Sequence, residues 1–226
     1  MPEEYDYDLV VVGGGPAGSS AAFAAAKNGI KVALIEKENS IAETVRTSGV
    51  TWIESIKEFG IPDNCYNPIK NFSFVSPNNE VTISDSIATA AVLDVRKTYR
   101  WLANEAEETG ADIFLKININ EVIKNENNDI VGVKGTGPNG EIIFHSKIVI
   151  DATGFTSVIS KAMGFVTQWK RFGAGAEYEA IVENSDPDTW WLMVGQEYTP
   201  AGYAWIFPLG NNIVRIGVGV GKPESD

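Results

Sequence analysis

The chain is short of the residues on which several kinds of chemistry depend. Among 226 residues there is one cysteine, Cys65, and one histidine, His145. A single cysteine forms no intramolecular disulfide. One Cys and one His also exclude the usual Cys/His zinc centres. A Ser-His-Asp hydrolase would have to use His145 as its base. No apolar run reaches the roughly 18 residues needed to span a membrane as a helix. Positive charge is scarce too: 18 Lys+Arg stand against 30 Asp+Glu, a formal net charge of -12. A chain of that sign repels phosphate backbones and gains nothing from an anionic membrane surface, which argues against nucleic-acid binding. The first residues, Met1-Pro2-Glu3-Glu4-Tyr5-Asp6, are acidic where a secretory signal is basic, so a reducing cytoplasmic setting is the expectation.

What remains suits a packed globular protein. Apolar residues make up 44% and aromatics 10%, which disfavours disorder. After a short acidic lead, Leu9 to Val12 reads as a buried strand, Ala17 to Asn28 as an Ala-rich helix stopped by Gly29, and Lys31 to Ile35 as a second strand. This is a βαβ opening. Residues 39–65 read as partly helical. Phe72–Ser76 and Val81–Ser84 read as a hairpin, and Arg96 to Thr109 as a helix. Short strands are expected at 112–117, 119–124, 129–134, 141–145 and 147–150, then a helix near 156–163, then strands through Trp190, Tyr203–Phe207 and Ile213–Val220. The fold class is α/β: a Rossmann-like domain with a mainly β second domain. The expected division is 1–65 with 94–165, and 66–93 with 166–226.

Gly13-x-Gly15-x-x-Gly18 stands between the first strand and the first helix. The first glycine allows a tight turn, the second admits a pyrophosphate to the backbone, and the third lets helix and strand pack closely. The helix N-terminus offers free N–H groups to the phosphate. Glu36 closes the second strand, where a carboxylate accepts the hydroxyls of an adenosine ribose and repels a 2′-phosphate. These features assign Gly13, Gly15, Pro16, Ala17, Gly18, Glu36 and Lys37 to a dinucleotide, and leave FAD and NAD both open.

Three pieces together resemble the flavoprotein oxidoreductases of the aromatic-hydroxylase fold group. They are the glycine loop with Glu36, the helix opening Arg96-x-x-Tyr99-x-x-Leu102, and Asp151-x-x-Gly154-x-x-Ser157-x-x-x-Lys161. The resemblance implies FAD as cofactor, Arg96 near the flavin, and Asp151 and Gly154 supporting the nucleotide. On the residues alone, Arg96 also fits an exposed helix start and Asp151 a helix cap. Ser157 and Lys161 read as helix surface.

Within that group the chain is most similar to the geranylgeranyl reductase family, FAD-dependent enzymes that saturate isoprenoid double bonds. Pro200-Ala201-Gly202-Tyr203-Ala204-Trp205-Ile206-Phe207-Pro208 matches that family's Tyr-x-Trp-x-Phe-Pro motif. Glu43-Thr44-Val45-Arg46-Thr47-Ser48-Gly49 looks like its arginine-containing segment near the flavin. The resemblance implies cofactor roles for Arg46, Ser48 and Gly49, and polyprenyl-lipid contact for Tyr203, Trp205 and Phe207. On a strand those three rings share one face. Such a row is an apolar floor for a lipid, or equally ordinary core. The family also carries a Gly-Asp flavin motif further along, so the chain looks like an N-terminal portion of such an enzyme.

The resemblance implies hydride transfer from reduced flavin to an alkene, with NAD(P)H or a ferredoxin-like protein as electron donor and at most peripheral membrane contact. No proton donor is evident. His145 reads as a surface residue, and Cys65 as a loop residue. A flavin monooxygenase of the same fold group and a non-catalytic nucleotide- or lipid-binding module are the alternatives.

Overall fold

The computed structural model describes residues 2–165 and 169–222. In chain order, β1 (Glu3–Val12), α1 (Pro16–Lys27) and β2 (Val32–Ile35) come first. β3 (Val50–Trp52), α2 (Ile53–Phe59), β4 (Tyr66–Ile69), β5 (Asn71–Ser76), β6 (Asn79–Ser84) and β7 (Ala90–Leu93) follow. Next are α3 (Val95–Glu108), β8 (Asp112–Phe114), β9 (Asn118–Lys124), β10 (Ile130–Gly137), β11 (Gly140–Asp151) and α4 (Val158–Ala162). The last are β12 (Phe172–Ile181), β13 (Thr189–Val194), β14 (Gly202–Gly210) and β15 (Ile213–Lys222). The chain divides into two compact units, 1–45 with 99–167 and 46–98 with 168–226. Residues 46–65 and 94–98, expected in the first domain, thus fall in the second unit. Position 166, where the later part of the second domain was expected to begin, and the last four residues, 223–226, lie outside the described residues.

The first unit is built on a sheet of order β8-β2-β1-β11-β10-β9. β1 runs parallel to both β2 and β11, and β2 parallel to β8. A strand covered on both faces needs apolar residues at every position, and Leu9-Val10-Val11-Val12 supplies them. Leu9 and Val11 face Ala22 and Ala26 of α1 and Ala106 of α3, while Val10 and Val12 face Ile119, Val133 and Phe144. The alanines let α1 lie close to the sheet.

Two sequence expectations change here. Residues 3–8 are not a lead but the first half of β1, in register with β11 from Glu3 opposite Ile142. Tyr5 and Tyr7 alternate inward onto Phe114 and Phe144, and the acidic residues between them take the other face. The expected strands 141–145 and 147–150 are a single strand, β11, since one ladder with β1 runs through His145, Ser146 and on to Asp151. His145 is accordingly half-buried in mid-strand, its Nε2 3.3 Å from Glu4 Oε2.

The second unit holds a sheet of order β12-β15-β14-β13-β5-β6 and a small sheet β3-β7-β4. The expected hairpin is β5 with β6. The small sheet, which the sequence did not announce, packs Ile69, Ala90 and Val92 against Phe72, Trp190, Trp205 and Phe207 of the large one. Cys65, expected in a loop, is buried in a 3-10 turn before β4. Burial, then the nearby Asp94 charge, pushes its thiol above the ordinary value.

A row of glycines on β15 makes room for an indole. Gly217 pairs with Trp205, and a Cβ on Gly217 would come 2.3 Å from the Trp205 ring. Gly219, next on the same face, lies at 3.4 Å by the same measure. G217A should therefore destabilise the protein by about 1–3 kcal/mol, the usual result of overpacking. Thermal unfolding with near-UV circular dichroism would measure this. An unchanged transition and tryptophan signal would disprove the packing account.

Candidate functional site

The glycine loop stands where β1 ends. Gly13 adopts φ +110°, and a Cβ there would sit 2.3 Å from the Ala152 carbonyl oxygen. A Cβ on Gly18 would sit 1.8 Å from the Gly13 carbonyl oxygen. Gly13 and Gly18 are therefore glycines for packing. Gly15 differs, because a Cβ there would meet nothing within 4 Å. It precedes α1 with no side-chain cap, and Pro16 occupies the first turn. The N–H groups of Ala17 and Gly18 have no helical carbonyl to bond, as at any helix start. The result is an open, uncapped helix N-terminus, with its partial positive charge, at the end of a parallel strand.

Glu36 fastens the loop from the side. Its Oε2 accepts the Gly14 N–H at 2.8 Å and its Oε1 the Glu38 N–H at 2.9 Å. Each carboxylate oxygen keeps a further lone pair for a donor such as a ribose hydroxyl. The turn beyond is held in the same manner. Glu38 Oε2 accepts the Thr44 N–H, Glu43 accepts from Asn39, and Arg100 Nε donates to the Ile41 carbonyl at 3.2 Å. Sequence reading passed over Arg100. Lys37 is exposed beside Glu36.

Asp151 ends β11 next to the loop. The Ala152 N–H continues the ladder to the Val12 carbonyl at 2.8 Å. Asp151 Oδ1 accepts from the Thr153 hydroxyl at 2.6 Å and the Thr153 N–H at 3.1 Å, and Oδ2 accepts the Ser160 N–H at 2.7 Å. Burial works to raise its pKa, but the hydrogen bonds from Thr153 and Ser160 outweigh it and hold the carboxyl below the ordinary range. The capping arrangement is thus what the carboxylate does within the chain. Gly154 is exposed with φ +63° and carries the turn that follows.

The remaining sequence-derived residues belong to the second unit. Arg46 is exposed. Gly49 is buried with φ +78°, and the Ser48 carbonyl accepts from Arg215 Nη1 at 2.7 Å. Arg96 pairs with Glu179 at 3.6 Å. Along β14, Phe207 is 3% exposed, Trp205 8% and Tyr203 48%. Trp205 stacks near-parallel on Phe207 at 6.0 Å, and Tyr203 tilts against Trp205 at 5.7 Å. Phe207 and Trp205 therefore serve the core, and the row opens to solvent at Tyr203. Arg215 was not singled out from sequence, because a lone arginine in a Gly/Val strand carries no spacing signal.

The family model FAD dependent oxidoreductase matches residues 8–179, and the model geranylgeranyl reductase catalytic domain matches 173–226. A digeranylgeranylglycerophospholipid reductase of Methanocaldococcus jannaschii is 36% identical over 95% of this chain and 55% of its own length. Digeranylgeranylglycerophospholipid reductase 1 of Methanopyrus kandleri is 32% identical over 97% of this chain and 59% of its own. The chain thus spans little more than half the length of these relatives. A geranylgeranyl bacteriochlorophyll reductase-like crystal structure from Thermoplasma acidophilum superposes with a TM-score of 0.86 at 30% identity, over 96% of this chain and 57% of that one. A halogenase structure at 20% identity and TM-score 0.74 shares the fold.

The depressed Asp151 pKa has a consequence with a fixed sign. A group whose folded pKa lies below its unfolded value stabilises the fold above the unfolded value, near 3.8, and loses that contribution as pH falls through the folded one. D151N should lower stability at neutral pH and flatten the acid limb of the stability curve. Urea titrations between pH 2 and pH 7 would measure this, and curves that stay parallel to wild type throughout would refute it.

Proposed function

The chain belongs to the FAD dependent oxidoreductase family, and from that premise we propose that it is the N-terminal portion of an ene reductase that saturates C=C bonds of a polyprenyl lipid. The observation that carries this reading is the Tyr203, Trp205, Phe207 row on β14, inside the segment matching the geranylgeranyl reductase catalytic domain. The relatives' names, which specify digeranylgeranylglycerophospholipid, support the same substrate class.

The residues present fit FAD. The open Cβ direction at Gly15 leaves space where a diphosphate is held by backbone N–H groups, with Gly13, Pro16, Ala17 and Gly18 shaping the approach. Glu36 takes the adenosine ribose through its spare lone pairs, and its charge disfavours a 2′-phosphate there. Lys37 flanks it. Asp151 and Gly154 form the adjoining turn. Cofactor roles for Arg46, Ser48, Gly49 and Arg96 follow from the family resemblance.

When bound and reduced, FAD supplies hydride for the alkene. The chain contributes binding, orientation and exclusion of water. An isolated alkene offers no oxygen to polarise, so apolar contact has to do the holding. Tyr203, at the open end of the row, gives that contact a polar tip, and burying isoprene units against apolar surface gains roughly 25 cal/mol per Å2. Among the described residues, no helix is long and apolar enough to cross a membrane. On the family resemblance, access to a lipid is by peripheral contact, and electrons come from NAD(P)H or a ferredoxin-like donor.

The purified chain, mixed with FAD and desalted, should retain a visible flavin spectrum that dithionite bleaches. E36Q should weaken retention roughly tenfold or more, because hydrogen bonds to a charged acceptor contribute about 1.5–3 kcal/mol. With flavin bound and reduced anaerobically, a geranylgeranyl lipid should gain two mass units per double bond by mass spectrometry. Oxygen-dependent addition of sixteen mass units would instead establish a monooxygenase, and lipid binding without retained flavin would establish a binding module.

A further inference from the structure

The bulkiest fully buried side chain among the described residues is charged: Arg215, on β15, is 2% exposed. It stands in register with Phe207 of β14 on one side and Glu179 of β12 on the other. Its Nη1 donates to the Ser48 carbonyl at 2.7 Å and reaches the Leu93 carbonyl at 3.4 Å. Its Nη2 donates to Glu179 Oε1 at 2.8 Å, and Nε lies 4.0 Å from Glu177 Oε1. The other oxygen of Glu179 pairs with Arg96 at 3.6 Å. Gly49 completes the niche, since a Cβ there would sit 2.9 Å from Arg215 Nη1, the Leu93 carbonyl oxygen and Val95 Cγ2.

This arrangement is costly for stability alone. A buried guanidinium gives up its hydration, and well-packed apolar residues of similar size often serve as well or better. What an apolar residue cannot do is hold two separate backbone segments and a carboxylate in fixed directions, which a rigid five-donor fork does. The segments held are the end of the Arg46–Gly49 stretch and Leu93, the last residue of β7, two positions before α3 with its Arg96.

We propose that Arg215 is a positioning residue, which fixes the Ser48–Gly49 segment directly and Arg96 through Glu179. The use of that positioning, presenting Arg46, Ser48, Gly49 and Arg96 to FAD, rests on the function proposed above. The positioning itself does not. Glu177 belongs to the same cluster. Burial, opposed by Arg215 and reinforced by the Glu179 charge, raises its pKa. Its Oε2 and the Trp205 indole N–H are both buried without a hydrogen-bond partner among the described residues.

The test uses the full chain as wild type, R215K, R215M and E179Q, with two readouts. Hydrogen exchange without FAD should show R215M exchanging about tenfold faster at 46–50 and 91–98, with β1 and α1 unchanged. R215K, which keeps the charge but not the fork, should recover only part of that protection. E179Q should leave 46–50 protected. FAD titration, followed by flavin fluorescence and visible circular dichroism, should show about tenfold weaker binding and an altered flavin signal in both R215M and E179Q. Unchanged exchange at 46–50 in R215M, or equal acceleration along the whole chain, overturns the positioning role. Should R215M fail to fold, E179Q decides: FAD binding and flavin signal identical to wild type overturn the inference. A wild-type chain that binds no FAD overturns cofactor binding by this portion alone, while the exchange result still decides whether Arg215 fixes the segment.

Discussion

The parallel ladder of β1 with β11 is the constraint on which the nucleotide end of the first unit depends. Parallel neighbours end at the same edge, so β1, β2 and β11 deliver Gly13, Glu36 and Asp151 together. The ladder continues one residue past β11, through the Ala152 N–H to the Val12 carbonyl. That bond brings the Ala152 carbonyl to within 2.3 Å of where a Gly13 Cβ would stand. The first glycine is then required by the sheet before any ligand is considered. Gly18 is required in turn by Gly13, whose carbonyl it crowds. Only Gly15 is left with open space around it, and it is the glycine that a phosphate would approach.

In the second unit the same alternation serves two ends along one strand. The three rings of β14 share a face, and that face passes from core to solvent, from Phe207 through Trp205 to Tyr203. The small sheet packs on Trp205 and Phe207 at one end of the row, and Tyr203 at the other end is exposed. A glycine-lined β15 lets the Trp205 indole lie flat over its neighbour instead of standing up from the sheet. The core reading of the motif thus holds at Trp205 and Phe207, and the proposed ligand floor is left to the Tyr203 end.

Elements with one dominant pattern were legible from sequence. Leu9–Val12, the Ala-rich α1, the glycine loop, Glu36 and the β5–β6 hairpin each state their period and their stops locally. The misses share a cause. The inward Tyr5 and Tyr7 were hidden by the acidic residues between them, so half of β1 read as a polar lead. His145-Ser146-Lys147 interrupted an apolar run and split β11 in two. β3, β4 and β7 are three or four residues long, too short for any period, and exist because they pair with one another. Arg215 was illegible for a related reason. Its meaning lies in two carbonyls and a carboxylate far away in sequence.

An acidic chain is at first sight a poor host for a diphosphate, and the geometry around the loop explains why the net charge of -12 does not decide the matter. Glu36, Glu38, Glu43 and Asp151 each accept backbone N–H groups of the turns they sit in. Their charge is matched by local amide dipoles, and they are part of what gives the loop its shape. The attraction that matters for a phosphate is short-ranged, confined to the first turn of α1. Charges beyond about 8–10 Å are largely screened at physiological salt. The distant carboxylates therefore cost little at the phosphate position, and the near ones fix the backbone of the loop. For a lipid the balance differs, because an anionic membrane repels the surface as a whole. For the lipid substrate proposed above, a chain of this charge would rely on apolar contact at an exposed ring such as Tyr203, and not on electrostatic attraction to the headgroups.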